Sequence, residues 1–198
     1  MRFSIIPAVL FIVFSTAASG TQIVLDDMDH ALPIDTPAFA SPEGPCLADL
    51  LTIDSSVSIF YSYAREVEIS KRFEDRGKQS TLLVPTNKAV MALARKPHQD
   101  PPHVDEGVII SEQEYDAHSK RNVERWIAAH IIPESPIDLT SQSYETLLKG
   151  KQVKFRTTSP DANPHWSTVT IDDDIHIVAE KKACNGVIYV IDGTVKIA

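Results

Sequence analysis

The chain lacks cysteine-rich spacing, clustered cations, long apolar runs and the short motifs of common catalytic sites. Each absence narrows what it can be. Two cysteines, Cys46 and Cys184, exclude a small scaffold stapled by many bridges and leave one disulfide at most. Lysine and arginine occur singly or in pairs, and 19 basic against 27 acidic residues give a formal charge of −8. Such a balance disfavours nucleic acid and anionic membrane surfaces as partners. Asn87, Asn122, Asn163 and Asn185 are followed two residues later by Ala, Glu, His and Val, so no N-linked sugar is expected. No G-x-S-x-G elbow, phosphate loop, dinucleotide fingerprint or H-E-x-x-H is present, which leaves no nucleophile held against a base and no cofactor cradle. Catalytic residues, metal ligands and cofactors are all read as none.

The address lies at the start. Met1-Arg2, an apolar stretch over 3–14 and the small residues 15–20 have the form of a secretory signal. The apolar stretch is well short of the ~20 residues that span a bilayer and contains Pro7. Residues 1–20 are therefore expected to be removed, after Ala18 or Gly20. Loss of Arg2 leaves 18 basic residues against 27 acidic, a formal charge of −9. The end of the chain, Thr194 to Ala198, lacks the apolar tail of a lipid-anchor signal, so a soluble mature protein without stable membrane insertion is expected.

Residues 21–45 carry Pro33, Pro37, Pro42 and Pro45 with little apolar periodicity and read as a flexible leader. Asp26, Asp27, Asp29 and His30 have ligand chemistry without rigid spacing and read as a solvated acidic tail. From Leu47 a short helix is predicted, with Asp54, Ser55 or Ser56 capping the next. In that second helix Val57, Phe60, Ala64 and Val67 recur at helical spacing, so core packing is favoured over an aromatic ligand platform.

Ser80 to Val84 reads as a strand that Pro85 stops. Thr86 then caps a helix carrying Val90, Met91, Leu93 and Ala94. A Pro-rich loop follows, in which His98, His103, Asp105 and Glu106 are suitable ligand types with no helical register to aim them. Ser111-Glu112-Gln113-Glu114 has the form of a capping box and opens a helix to about His130, with Tyr115, Val123, Trp126, Ile127 and His130 on its buried side. His130 reads as a hydrogen-bonded core histidine. The remainder is strand-rich, with a turn at Lys149-Gly150-Lys151, strands over 153–157 and 166–171, and a polar tip at Asp172-Asp173-Asp174 that lacks the spaced oxygens of a calcium loop.

The last strand is the most apolar stretch after the leader. In Val187-Ile188-Tyr189-Val190-Ile191 both alternate faces are apolar, which predicts a central strand covered on both sides. Asn185-Gly186 before it predicts a type I′ turn, with positive φ at both residues, returning from a partner over 175–179.

Two blocks now stand about a hundred residues apart: Thr81 through Pro85, Thr86 and Asn87 to Val90, and Asn185 through Gly186, Val187, Ile188, Tyr189, Val190 and Ile191 to Asp192. Together they resemble the hallmark blocks of the fasciclin domain, an adhesion-type module of secreted and cell-surface proteins, and look closest to its small single-domain fungal members. The resemblance runs from about Leu47 to Ile197 and places one domain over 46–198. It implies an α+β fold, a β-wedge or sandwich with several packed helices. The stretch Ala129 to Pro133 resembles the family's central block, but Ala129 stands where animal members commonly have Tyr, so their integrin-type recognition is not carried over. The implied role is non-catalytic adhesion or binding of a protein or cell-surface polymer, at the cell surface or in the vacuole after the secretory route. The alternative is a carrier of a small, lipid-like apolar ligand held between helices and sheet, which would need an apolar cavity of ~300 Å³ or more. Cys46 and Cys184 are either bridged or two buried thiols.

Overall fold

The computed structural model describes residues 44–99, 111–140, 142–157, 164–172 and 174–197. The expected signal and nearly all of the leader lie outside the described residues, as do Asp26, Asp27, Asp29, His30, His103, Asp105, Glu106 and Asp173.

Helix α1 (Leu47–Ile53) starts where the Cys46 N–H donates to the Asp49 carboxylate at 2.8 Å, satisfying one of the donors a helix start leaves unpaired. Asp54 accepts from the Ser56 N–H at 2.9 Å and sets a 3-10 turn that leads into α2 (Ser58–Arg65). The stripe Val57, Phe60, Ala64 and Val67 is buried, as its spacing predicts. A short α3 (Lys71–Glu74) buries Phe73.

Strand β1 (Ser80–Pro85) is buried at all six positions. The Thr86 hydroxyl then caps α4 (Asn87–Met91), accepting from the Ala89 N–H at 3.2 Å. This helix is shorter than its apolar pattern predicts, and Met91 at its end is 62% exposed. The physical reason is at its end: the Lys96 ammonium donates to the carbonyls of Val90, Met91 and Leu93 at 3.4, 2.9 and 3.5 Å, satisfying the acceptors a helix end leaves open.

Helix α5 (Glu112–Ala129) opens with the capping box. Ser111 Oγ accepts from the Glu114 N–H at 3.3 Å, and the Glu114 carboxylate accepts from the Ser111 N–H at 3.1 Å. Val123, Trp126 and Ile127 are buried, whereas Tyr115 is half exposed. Only the C-terminal part of α5 meets the core, so the first turns project beyond it.

The remaining strands are β2 (Ile131–Ile132), β3 (Ser143–Glu145), β4 (Gln152–Thr157), β5 (Val169–Ile171), β6 (Ile175–Ala183) and β7 (Gly186–Ile191). They form one seven-stranded sheet with β1, in the order β2-β1-β7-β6-β5-β4-β3. The strand expected over 166–171 is only its second half, because Trp166–Thr168 forms a 3-10 turn with His165 as its cap. Asp172 takes a positive φ of 48° at the following turn. There its carboxylate accepts from the Lys154 N–H at 3.0 Å and the Lys151 ammonium at 3.1 Å, tying the turn to β4.

The order has one parallel contact. β1 lies parallel to β7, with Ser80 opposite Gly186 and Pro85 opposite Ile191, while every other pairing is antiparallel. On one face of this pair Leu82, Val84, Ile188 and Val190 pack with Leu47, Phe60, Trp126 and Ile127 from the helices. On the other face Leu83, Tyr189 and Ile191 pack with Val153, Phe155 and Ile171. Ile188 and Val190 are 1% and 3% exposed, so β7 is a central strand covered on both faces. The fold is α+β.

Candidate functional site

The two hallmark blocks come together as the neighbouring strands β1 and β7, with Thr81 and Asn185 buried and Lys88 and Asp192 exposed. Asn185 is fully buried. Its Oδ1 accepts from the Leu47 N–H at 2.9 Å, and its Nδ2 donates to the carbonyls of Phe73 at 2.9 Å and Asp75 at 3.2 Å. One side chain thus ties the β6–β7 hairpin to the start of α1 and the end of α3.

That arrangement corrects the expected turn. Ala183 pairs with Gly186, so the two loop residues are Cys184 and Asn185 and not Asn185 and Gly186. Asp172 is the one non-glycine with positive φ among the described residues, so Asn185 is not in the conformation a type I′ turn requires. Its three side-chain bonds hold it elsewhere. Gly186 has φ +152°, and a Cβ built on it would stand 1.9 Å from the Ser80 carbonyl oxygen. Glycine is required there both by its φ and by the close approach of β1.

Cys46 and Cys184 flank the same junction. The Cys184 N–H donates to the Pro45 carbonyl at 2.9 Å, which with standard peptide dimensions keeps the two Cα atoms within the ~7 Å that a disulfide requires. Both are free thiols in the structure.

The other motif residues are tied internally as well. Thr81 Oγ1 donates to the Glu134 carbonyl at 2.8 Å. Asn87 accepts from the Ile59 N–H at 2.9 Å and donates to the Ser55 carbonyl at 2.8 Å, linking α4 to the start of α2. His130 is completely buried beside Trp126 and Phe60, with ring centroids 4.7 and 5.7 Å away. Its Nε2 accepts from the Val195 N–H at 3.1 Å, so Nδ1 carries the proton and donates to the Trp126 carbonyl at 2.7 Å. Burial pushes its pKa from 6.5 down to about 4, which keeps the ring neutral. Burial likewise pushes the Tyr189 phenol up to about 12, with Glu180 adding to the effect. Asp192 reaches the surface, where it accepts from the His176 N–H at 2.7 Å.

Three side-chain pairs among the described residues have catalytic residue types, one of them the exposed contact of His176 Nδ1 with Asp192 Oδ2 at 3.2 Å. His165 Nδ1 lies 2.7 Å from Ser167 Oγ and also accepts from the Ser167 N–H at 3.4 Å, which makes it the local cap of a 3-10 turn. Tyr63 Oη lies 3.1 Å from His98 Nδ1, next to the edge-on contact of Tyr63 with Trp126. None of the three pairs lines the cleft described next. Among the described residues no group of three or more His, Cys, Asp or Glu is placed to hold a metal ion, and no helix is long and apolar enough to cross a membrane.

An open cleft of about 530 Å³ lies between the segment after α4, the outer side of α5 and the last residues described. Leu93, Trp126, Val195 and Ile197 supply its apolar lining and Arg95, Lys96, Arg125 and Lys196 its charge. These cations come from three separate stretches, so no cluster marks them in the sequence. The detectable signal was limited to the helical phase of Asn122, Arg125 and Trp126.

The family model described as Fasciclin domain matches residues 55–196. A FAS1 domain-containing protein of Aspergillus fumigatus is 39% identical over 98 residues, 48% of this chain and 42% of the relative. One from Emericella nidulans is 27% identical over 155 residues, covering 76% of this chain and 62% of the relative. The chain thus matches less than two thirds of the length of these curated relatives. Among solved structures, a FAS1 domain pair from the insect cell adhesion molecule Fasciclin I is similar with a TM-score of 0.52 at 13% identity, covering 77% of this chain and 51% of that one. At that identity the likeness speaks for the fold.

Proposed function

This chain belongs to the fasciclin domain family, and from that premise we propose that it is a non-catalytic binding module that engages a protein or a cell-surface polymer at the cell periphery, reached by the secretory route. The observation that carries this reading is the inward direction of the hallmark residues. Asn87 links α4 to the start of α2, His130 links the end of α5 to the segment after β7, Asn185 ties the β6–β7 hairpin to α1 and α3, and Gly186 lets β7 approach β1, so recognition falls to the outer surface. The insect relative of the same fold is a cell adhesion molecule. A net charge of −8 favours partners other than nucleic acid or anionic membrane.

A carrier holding an apolar ligand between helices and sheet is less well supported. Phe60, Leu82, Val84, Ile127 and Ile188 fill that interface and are each at most 1% exposed. Retention of the tagged chain on isolated envelope and wall fractions tests the proposal. Saturable retention, competed by the untagged chain and lost on heat-unfolding, is expected. Retention no greater than that of an unrelated acidic protein overturns it, as does turnover of an ester or glycoside substrate panel by the purified chain.

A further inference from the structure

The cleft beside α5 has a charge composition opposite to that of the protein. The chain carries 27 acidic residues to 19 basic, yet the described residues lining the cleft include four Lys or Arg and no Asp or Glu. We propose that this cleft binds a single-chain amphiphile with a carboxylate head, the cations taking the head and the apolar lining taking the chain.

Size, charge and access each bear on the occupant. A volume of about 530 Å³ falls within the ~300–1,000 Å³ of small-molecule sites. Arg95 and Arg125 are both exposed at the cleft, and guanidinium matches a carboxylate as a planar two-donor fork. The Lys96 ammonium donates to three carbonyls after α4, so it lends the cleft a fixed positive charge and leaves hydrogen bonding of the head to the other cations. Lys196 is paired with Asp174 at 2.9 Å, with both side chains more than half exposed, and such a surface pair exchanges readily for another carboxylate. The overall negative charge rejects a polyanion, whereas a monoanion meets mainly the local positive lining. Leu93 and Ile197, both part-exposed, with the buried Val195 and Trp126 behind them, give an alkyl chain apolar contact that an inorganic anion would leave unused.

This proposal does not rest on the peripheral binding read above, and its failure leaves that reading intact. The test is titration of the full chain carrying Trp166→Phe, which leaves Trp126 as its single tryptophan, with dodecanoate below its micelle concentration. Dodecan-1-ol and inorganic phosphate serve as comparison probes. A saturable change in Trp126 fluorescence is expected with dodecanoate. Binding should weaken about tenfold or more with Arg125→Glu, with Lys196→Glu and with either comparison probe, because loss of a charge-assisted contact is worth roughly one factor of ten. Raising salt to about 0.5 M should weaken it further, since screening acts on exposed charges. Equal binding of dodecan-1-ol overturns the role of the cations, and equal binding of phosphate overturns the role of the apolar lining. Absence of any saturable change overturns the site. Thermal melts of both charge variants that match the parent's identify a binding loss as local. Should either variant melt lower, Arg125→Gln is titrated in its place, and unchanged dodecanoate affinity there overturns the proposal.

Discussion

The β1–β7 pair and the cleft beside α5 direct their polar side chains in opposite ways. Along β1 and β7, and in the turns that flank them, Ser80, Thr81, Asn87 and Asn185 make bonds inside the molecule. At the cleft, Arg95, Arg125 and Lys196 are exposed side chains on the surface. The strands carry the motifs by which the family is recognised, and the cleft carries none. The lesson is that a family signature in this fold marks the residues on which folding depends, while residues available for recognition lie where the sequence looks ordinary. Substitutions in the two regions should therefore separate stability from binding.

The largest effect is expected at Gly186. A valine would place a Cβ 1.9 Å from the Ser80 carbonyl at φ +152°, so β1 and β7 must part. A loss of ~5 kcal/mol or more, enough to prevent folding of an ordinary domain, is expected. A Gly186→Val protein melting like the parent would break the comparison at its strongest point.

Asn185→Ala comes next. It leaves the Leu47 N–H and two carbonyls without their partner, at a cost of ~3–4 kcal/mol for a buried site. Chemical denaturation measures it, and a change below 1 kcal/mol would show that water replaces the amide.

His130 makes stability pH-dependent. Its folded pKa is about 4, below the ordinary 6.5, so between these values the unfolded chain binds more protons than the folded one. Stability from this group is complete above about pH 6.5 and is lost as pH falls toward 4, by up to ~3 kcal/mol. Melts of the parent and of His130→Phe from pH 7 to pH 4 check the sign. The parent should lose more stability than the variant across that window, and parallel curves would rule the histidine out.

A smaller gain is expected from Cys46 and Cys184. Oxidised glutathione should take up two electrons and two protons and leave a bridge, read as a loss of two thiols by titration and a stability increase of ~2 kcal/mol. Two titratable thiols in the folded, treated chain would show that the side chains diverge despite their close backbones. The smallest effect belongs to the cleft. Arg125→Ala should change stability by no more than ~0.5 kcal/mol, and a larger loss would mean that this region too is structural.

Much of the fold was legible because its signals are local. The capping box at Ser111 and Glu114, the cap at Thr86, the stripe Val57–Phe60–Ala64–Val67 and the two-faced apolar run in β7 each depend on residues a few positions apart. Longer-range packing overrides such signals elsewhere. Asn185-Gly186 looked like a hairpin turn by its dipeptide, yet partners more than a hundred residues away hold the asparagine side chain. Met91 and Tyr115 fit a helical pattern but are 62% and 53% exposed. The cleft was invisible because its cations converge from three stretches.

From the sequence by itself came the family, the α+β class, the two-sided burial of β7 and most helix starts. These follow from backbone propensity, capping and apolar periodicity, which act over one or two turns of chain. Tertiary structure alone decided that β1 lies parallel to β7, that Gly186 must lack a side chain because Ser80 passes beside it, and that four scattered cations share one cleft. Those outcomes depend on which distant segments pack together, and packing is settled by the whole core at once, through contacts that no local stretch encodes.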